Sequence, residues 1–406
     1  MSADQAKSSG RFVPSRRQFL IGGAVAGVGA AAAVGADLVL NRSSSPEAAA
    51  ALNGAEIVPF YGRHQAGIAD AAQAHATFIA LDLLPETDRD ALRRLMSILT
   101  GDAARLTQGV KALADSEPEL AVVPARLTVT FGFGPEFVSR AGGNAPTWLR
   151  PLPPFSIDKL DPAFTDGDLL LQIAADDPLT VAHATRMLLK DTRSFATVRW
   201  TQAGFRRAYG SERPGTTMRN LFGQVDGTTN AQPGTEEFDR IVWAERGWLA
   251  GGTSLVLRRI RMDLDKWDRL DRGGREQSVG RTLANGAPLT GTDEFDEPDF
   301  EAKTSIGFPV IPEFSHVRRS RPDDERQRIF RRGYNYDERP AGESVSESGL
   351  LFASFQADVD AQFVPIQQRL ADLDLLNEWT TPIGSAVFAV PPGCSEGGYI
   401  GETLLG

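Results

Sequence analysis

The sequence predicts an α+β fold made of two halves that share one succession of elements. Three observations predict it: short apolar runs alternating at period two, apolar stripes at helical spacing between them, and a partial recurrence of that succession in the second half of the chain.

In the first half, 75–83 (HATFIALDL) reads as a strand, and Thr87 with Asp90 reads as a capping box opening a helix. Leu92, Leu95, Met96 and Leu99 then give the apolar stripe of that helix. Leu127, Val129, Phe131 and Phe133 alternate as a half-buried strand does. A third strand is expected at 168–174, a helix from Pro178 to Lys190, and a fourth strand from Phe195 to Thr201. The order βαββαβ is that of a ferredoxin-like unit.

The second half repeats parts of it, with a strand at 253–262, a helix near Trp267, a strand at 350–356, a helix from Val359 to Leu376 and a strand at 385–390. A polar insertion from about 282 to 348 interrupts this half without clear elements of its own. Insertions of that kind inside a domain are usually functional or disordered. The expected division is 1–50 as leader and linker, 55–210 as the first half, and 211–406 as the second half with the site residues.

With 406 residues, the chain is long enough to bury a full core. A formal charge of −10 without a long basic stripe argues against nucleic acid as a partner, since phosphates are held by clustered Lys and Arg. Cys394 is the only cysteine, which excludes an intrachain disulfide, a four-cysteine zinc site and a thiolate-held iron–sulfur cluster within one chain. At the N-terminus, Arg16 and Arg17 precede a small, apolar run from Ile21 to Ala36, the pattern of a twin-arginine export signal. The competing reading is a membrane anchor, since 19–40 is broken only by Asp37. Export would place the protein in the periplasm, outside the cell or at the envelope, with the twin-arginine translocase as a partner.

Only four histidines are present, so elimination is economical. His75 begins a strand and His183 sits on a helix, neither with an acid or ligand spaced around it; His64 lies in the loop-like run PFYGRHQAGI. His316 lies in FSHVRRSRP, with Arg318, Arg319 and Arg321 just behind it, a setting that suits an anionic partner. The run GQVDG places Asp226 between glycines, ordinarily only a turn. The run RIFRRGYNY carries a paired Arg331 and Arg332, ordinarily a charged loop.

Taken together and in this order, these runs resemble the dye-decolorising peroxidase family, in particular its exported members. The resemblance extends through GGTSLVLRRIRMDLDKWDR to the closing PPGCSEGGYIGETLLG, and so spans nearly the whole chain after the leader. It implies a domain in which the two ferredoxin-like halves form a dimeric α+β barrel-like peroxidase fold holding one haem b per chain. It implies His316 as the proximal ligand of the haem iron, Asp226 as the distal acid and base, and Arg331 as its electrostatic partner, with Arg332 the alternative if the register shifts by one. Gly227, Thr228, Thr229, Arg321, Pro322 and Asp323 are the further haem contacts it implies, the arginines serving the propionates.

The chemistry agrees with that division. A carboxylate can take a proton from hydrogen peroxide and return it to the departing oxygen, while a guanidinium stabilises the negative charge that develops. The resemblance leaves the reductant unidentified. Trp200, Trp243, Trp248, Trp267, Trp379, Tyr334 and Tyr336 are candidates to relay electrons to the surface. A rival reading is an exported haem- or iron-handling protein of the deferrochelatase type, working with iron-uptake proteins; a haem held by the Cys394 thiolate is a weaker rival. A homodimer is left open.

Overall fold

Eight strands close on themselves in the computed structural model, which describes residues 52–322, 324–340 and 345–406. They are β1 (His75–Leu83), β2 (Thr128–Phe133), β3 (Leu169–Ala175), β4 (Ala196–Phe205), β5 (Thr253–Met262), β7 (Tyr334–Glu338), β8 (Glu347–Gln356) and β9 (Thr380–Val390). The short β6 (Phe330–Arg331) lies beside β8. Pairing runs β5-β9-β2-β3-β1-β4-β7-β8, and β8 pairs back to β5, so the sheet is an antiparallel barrel. Closure removes the unpaired edges that an open sheet would expose. Within the first half the spatial order is β2-β3-β1-β4 and within the second β9-β5-β8-β7; among the described residues the strands of the two halves pair at Phe133–Ala389 and Phe205–Asn335.

Alternation along each strand divides the apolar residues between two faces. Phe78, Leu170, Trp200, Tyr334, Leu351 and Phe388 fill the barrel. Leu81, Phe131, Leu171 and Ile173 face outward onto α1 (Arg89–Thr107) and α3 (Pro178–Thr192), which meet them with Leu92, Leu95, Leu99 and Leu188. Hence β2 is buried at every position, and the half-buried reading of 127–133 was wrong because both of its faces are covered. The fourth strand shows the true alternation, with Trp200, Gln202 and Gly204 inside and Thr201, Ala203 and Phe205 exposed.

Several local expectations are corrected. The cap of α1 is Asp88, whose carboxylate accepts from Ala91 N at 2.8 Å, while Thr87 Oγ1 donates to Phe195 O. The predicted 359–376 helix is three pieces: a π turn at Val359–Phe363, α8 (Val364–Leu373) and a 3-10 turn at Leu375–Glu378. Between α1 and α3 lies α2 (Pro135–Arg140), and after α3 come α4 (Glu236–Val242), α5 (Leu264–Trp267) and α6 (Arg272–Val279). The insertion is structured, holding α7 (His316–Ser320), β6 and β7. Tyr334 and Tyr336 are fully buried, so neither is a surface terminus for electrons. Among the described residues no helix is long and apolar enough to cross a membrane, and the paired arginines at 16 and 17 lie outside the described residues.

Candidate active site

Arg331 is placed by strand alternation. Phe330 turns into the barrel, packed edge to face on Phe238 at 5.0 Å, so the next residue faces outward beside Ser354. Asn230 fixes the Arg331 backbone from both sides, accepting from its N–H at 3.0 Å and donating to its carbonyl at 2.7 Å.

Asp226 ends a tight excursion of the chain. Its N–H bonds Met218 O at 2.8 Å, and an antiparallel bridge joins Arg219 to Val225. Inside the excursion Asn220 Oδ1 accepts from Phe222 N and Gln224 N, and Arg219 Nη1 clamps the Gly223 and Leu283 carbonyls. Gly227 then turns the chain at φ +132, a conformation rarely open to residues with a Cβ. Arg331 Nη1 donates to Asp226 Oδ1 at 3.2 Å and Nη2 to Thr229 Oγ1 at 3.4 Å. Both charged side chains stay about one-fifth exposed, 22% and 20%, which leaves them open to a small reactant.

His316 is the first residue of α7 and its side chain is one-third exposed. Its Nδ1 donates to Asp374 Oδ2 at 2.6 Å. A carboxylate only accepts, so Nδ1 carries a proton, and in the neutral ring Nε2 holds the lone pair that can bind another partner. Asp374 is itself held by Leu376 N at 3.0 Å, and Leu375 N bonds Phe314 O at 2.9 Å, tying the two segments together. Burial pushes the imidazole toward its neutral form, but the Asp374 charge and hydrogen bond outweigh it and hold the group above the ordinary histidine range. The charges of Asp226 and Arg331 also act on this imidazole, with opposite signs.

The remaining expected residues divide. Thr229 joins the pair, whereas Thr228 Oγ1 turns to Glu294 at 2.9 Å. Arg321 is ion-paired with Glu297; Pro322 is half-buried, and Asp323 lies outside the described residues. Arg318 donates to Phe300 O and Arg319 Nε to Arg369 O. Arg332 does not pair with Asp226: its guanidinium bonds Gln73 Oε1 at 2.7 Å and the Ile68 and Asp70 carbonyls. Cys394 is remote and buried, with its thiol pushed up to about 11 by burial and then by Glu402, which disfavours a thiolate ligand. His183 does have an acid, the buried Asp115 at 3.0 Å, brought from another segment.

Sequence reasoning missed Asp374. It falls inside the helix expected from Val359 to Leu376, where a carboxylate reads as an ordinary polar position; the helix in fact ends at Leu373 and Asp374 caps the 3-10 turn that follows.

Comparison with known proteins places the chain among peroxidases. Residues 65–206 match the family model described as Dyp-type peroxidase, N-terminal, and residues 217–395 the one described as Dyp-type peroxidase, C-terminal. A dye-decolorizing peroxidase of Thermobifida fusca is 38% identical over 418 residues, covering 96% of this chain and 97% of that protein. A deferrochelatase of Yersinia pestis is 35% identical, covering 97% and 95%. The crystal structure of a DyP-type peroxidase from Cellulomonas bogoriensis superposes with a TM-score of 0.85 at 55% identity, covering 87% of this chain and 99% of that one.

Proposed function

This chain belongs to the Dyp-type peroxidase family and is a haem-dependent peroxidase, and from that premise we propose that Asp226 and Arg331 activate hydrogen peroxide at a haem whose iron is held by His316. The observation that carries the proposal is the Asp226–Arg331 pair, 3.2 Å apart and within electrostatic reach of a histidine whose Nδ1 is already committed to Asp374. The donor set fits a haem: one imidazole nitrogen is free to ligate, and its orientation and basicity are set from behind by a carboxylate. We assign one haem b per chain, with Gly227, Thr228, Thr229, Arg321 and Pro322 as further proposed contacts.

A haem held by His316 would supply the redox chemistry, two-electron reduction of peroxide coupled to one-electron oxidation of a reductant. Asp226 accepts the proton of the incoming peroxide and returns it to the outer oxygen, which leaves as water. Arg331 cannot exchange a proton at working pH and acts by charge, stabilising the negative charge that grows as the O–O bond lengthens. Thr229 holds the guanidinium, Asn230 holds the backbone that carries it, and Asp374 keeps Nδ1 of His316 protonated.

We read the proposed reductants as dyes, phenols or other bulky donors. We also read each half of the barrel as ferredoxin-like, with 55–210 and 211–406 as the units, because the spatial orders β2-β3-β1-β4 and β9-β5-β8-β7 are the same order counted within each half. Association of two copies, twin-arginine export and residence in the periplasm, at the envelope or outside the cell complete the proposal; the export part rests on the sequence of 1–50.

Haem or iron handling in iron uptake is the second reading, and the relative named deferrochelatase motivates it. Pure transport has no use for an acid–base pair at the iron, so Asp226 with Arg331 favours turnover. The test is steady-state peroxide turnover by haem-replete protein with an anthraquinone dye and a small phenol. Peroxide-dependent oxidation of both is expected; stoichiometric haem with no turnover of either would overturn the peroxidase reading.

A further inference from the structure

The cavity that opens onto Asp226 and Arg331 carries two more arginines, Arg206 and Arg332. Their partners differ. Arg331 is neutralised by Asp226, and Arg332 is satisfied by a side-chain amide and two carbonyls. Arg206 donates Nε to Gly333 O at 2.8 Å and lies over the Tyr334 ring at 5.0 Å. Among the described residues its two Nη groups meet no acceptor and no carboxylate pairs with it.

The cavity also holds Asp70, whose Oδ2 accepts from Gly67 N at 2.7 Å and which forms no ion pair with Arg206 among the described residues. The walls therefore carry three cations against two anions, and the surplus is concentrated at a guanidinium with both outer groups free. Burial holds Arg206 below the ordinary arginine range; the charges of Tyr334 and Asp226 oppose that fall and Arg332 adds to it. Arg206 is half-buried, so its unpaired Nη groups remain within reach of an anion from solution.

We propose that Arg206 is an anion subsite that takes a small monocarboxylate at the side of the distal pair. The planar guanidinium fork with two free Nη groups matches the two oxygens of a carboxylate, where an ammonium would offer a single point charge. Thr217 and Gln232, which line the same cavity, supply further polar groups around such a ligand. The subsite goes beyond the peroxidase reading, since its occupation requires neither peroxide nor turnover.

The test is calorimetric titration of the haem-replete protein with sodium acetate at constant ionic strength, with the visible spectrum followed in parallel. Saturable binding at one site per chain is expected with the main haem band unmoved. Arg206→Leu should weaken it by roughly tenfold or more, the weight of a charge-assisted hydrogen bond, and Arg206→Lys by less. Absence of saturable binding in the native protein overturns the proposal. So does unchanged affinity in Arg206→Leu, or a shift of the haem band that survives that substitution and puts acetate on the iron. If Arg206→Leu does not fold, Arg206→Gln replaces it with the same expectation.

Discussion

Asp374 accepts a 2.6 Å hydrogen bond from His316 across 58 residues of sequence, and it does so while buried to 4% exposure. Carboxylates in this position raise the basicity of a ligating imidazole and fix its ring. Asp374→Ala is therefore expected to weaken haem binding by roughly 10- to 100-fold and to shift the ferric/ferrous potential upward. Haem titration of the apoprotein and a redox titration measure the two. An unchanged affinity together with an unchanged potential would reduce Asp374 to a turn cap.

A second prediction concerns stability rather than chemistry. On α3, Asp191 is pushed up to about 7, first by burial and then by the charge of Asp102 on α1, with Lys190 opposing. The folded protein thus holds one proton more than the unfolded chain between about pH 4 and pH 7, so this group's contribution to stability falls as pH rises through that window and is constant above it. Asp191→Asn keeps a polar group facing Asp102 without the charge. Its melting temperature is expected to equal the native value near pH 4 and to exceed it by a few degrees at pH 8. Parallel melting curves at the two pH values would contradict the assignment.

Export is tested at the N-terminus. Replacing Arg16 and Arg17 together by lysine should leave the protein inside the cell, because the translocase recognises the arginine pair. Fractionation of cells expressing native and double-variant protein measures it, and normal delivery of the variant would sink the proposed route.

Much of this molecule was legible in its sequence, for identifiable reasons. The strands with strong apolar runs, such as 75–83 and 253–262, were placed to the residue because a strand buried on both faces leaves a short, nearly continuous apolar run. The short β6 and β7 were not, because RIFRRGYNY mixes arginines with aromatics and its Tyr334 and Tyr336 are buried inside the barrel rather than exposed on a polar loop. Asp226 and Arg331 were nameable only from the order of several motifs, since a five-residue turn and a charged pair are each commonplace. Their 3.2 Å approach depends on Asn230 and the Arg219 clamp, tertiary contacts with no local signature. Asp374 was invisible for the same reason.

The central claim is that Asp226 moves the proton while Arg331 supplies only charge. Stopped-flow mixing with hydrogen peroxide, following loss of the resting haem band, separates the two in haem-replete Asp226→Ala and Arg331→Leu. Asp226→Ala is expected to slow the reaction by roughly 10²- to 10⁴-fold, the weight of a positioned acid–base group. Arg331→Leu should slow it too, while leaving a proton acceptor in place. If Asp226→Ala reacts at the native rate while Arg331→Leu does not react, the account is contradicted and the arginine, with water carrying the proton, runs the site.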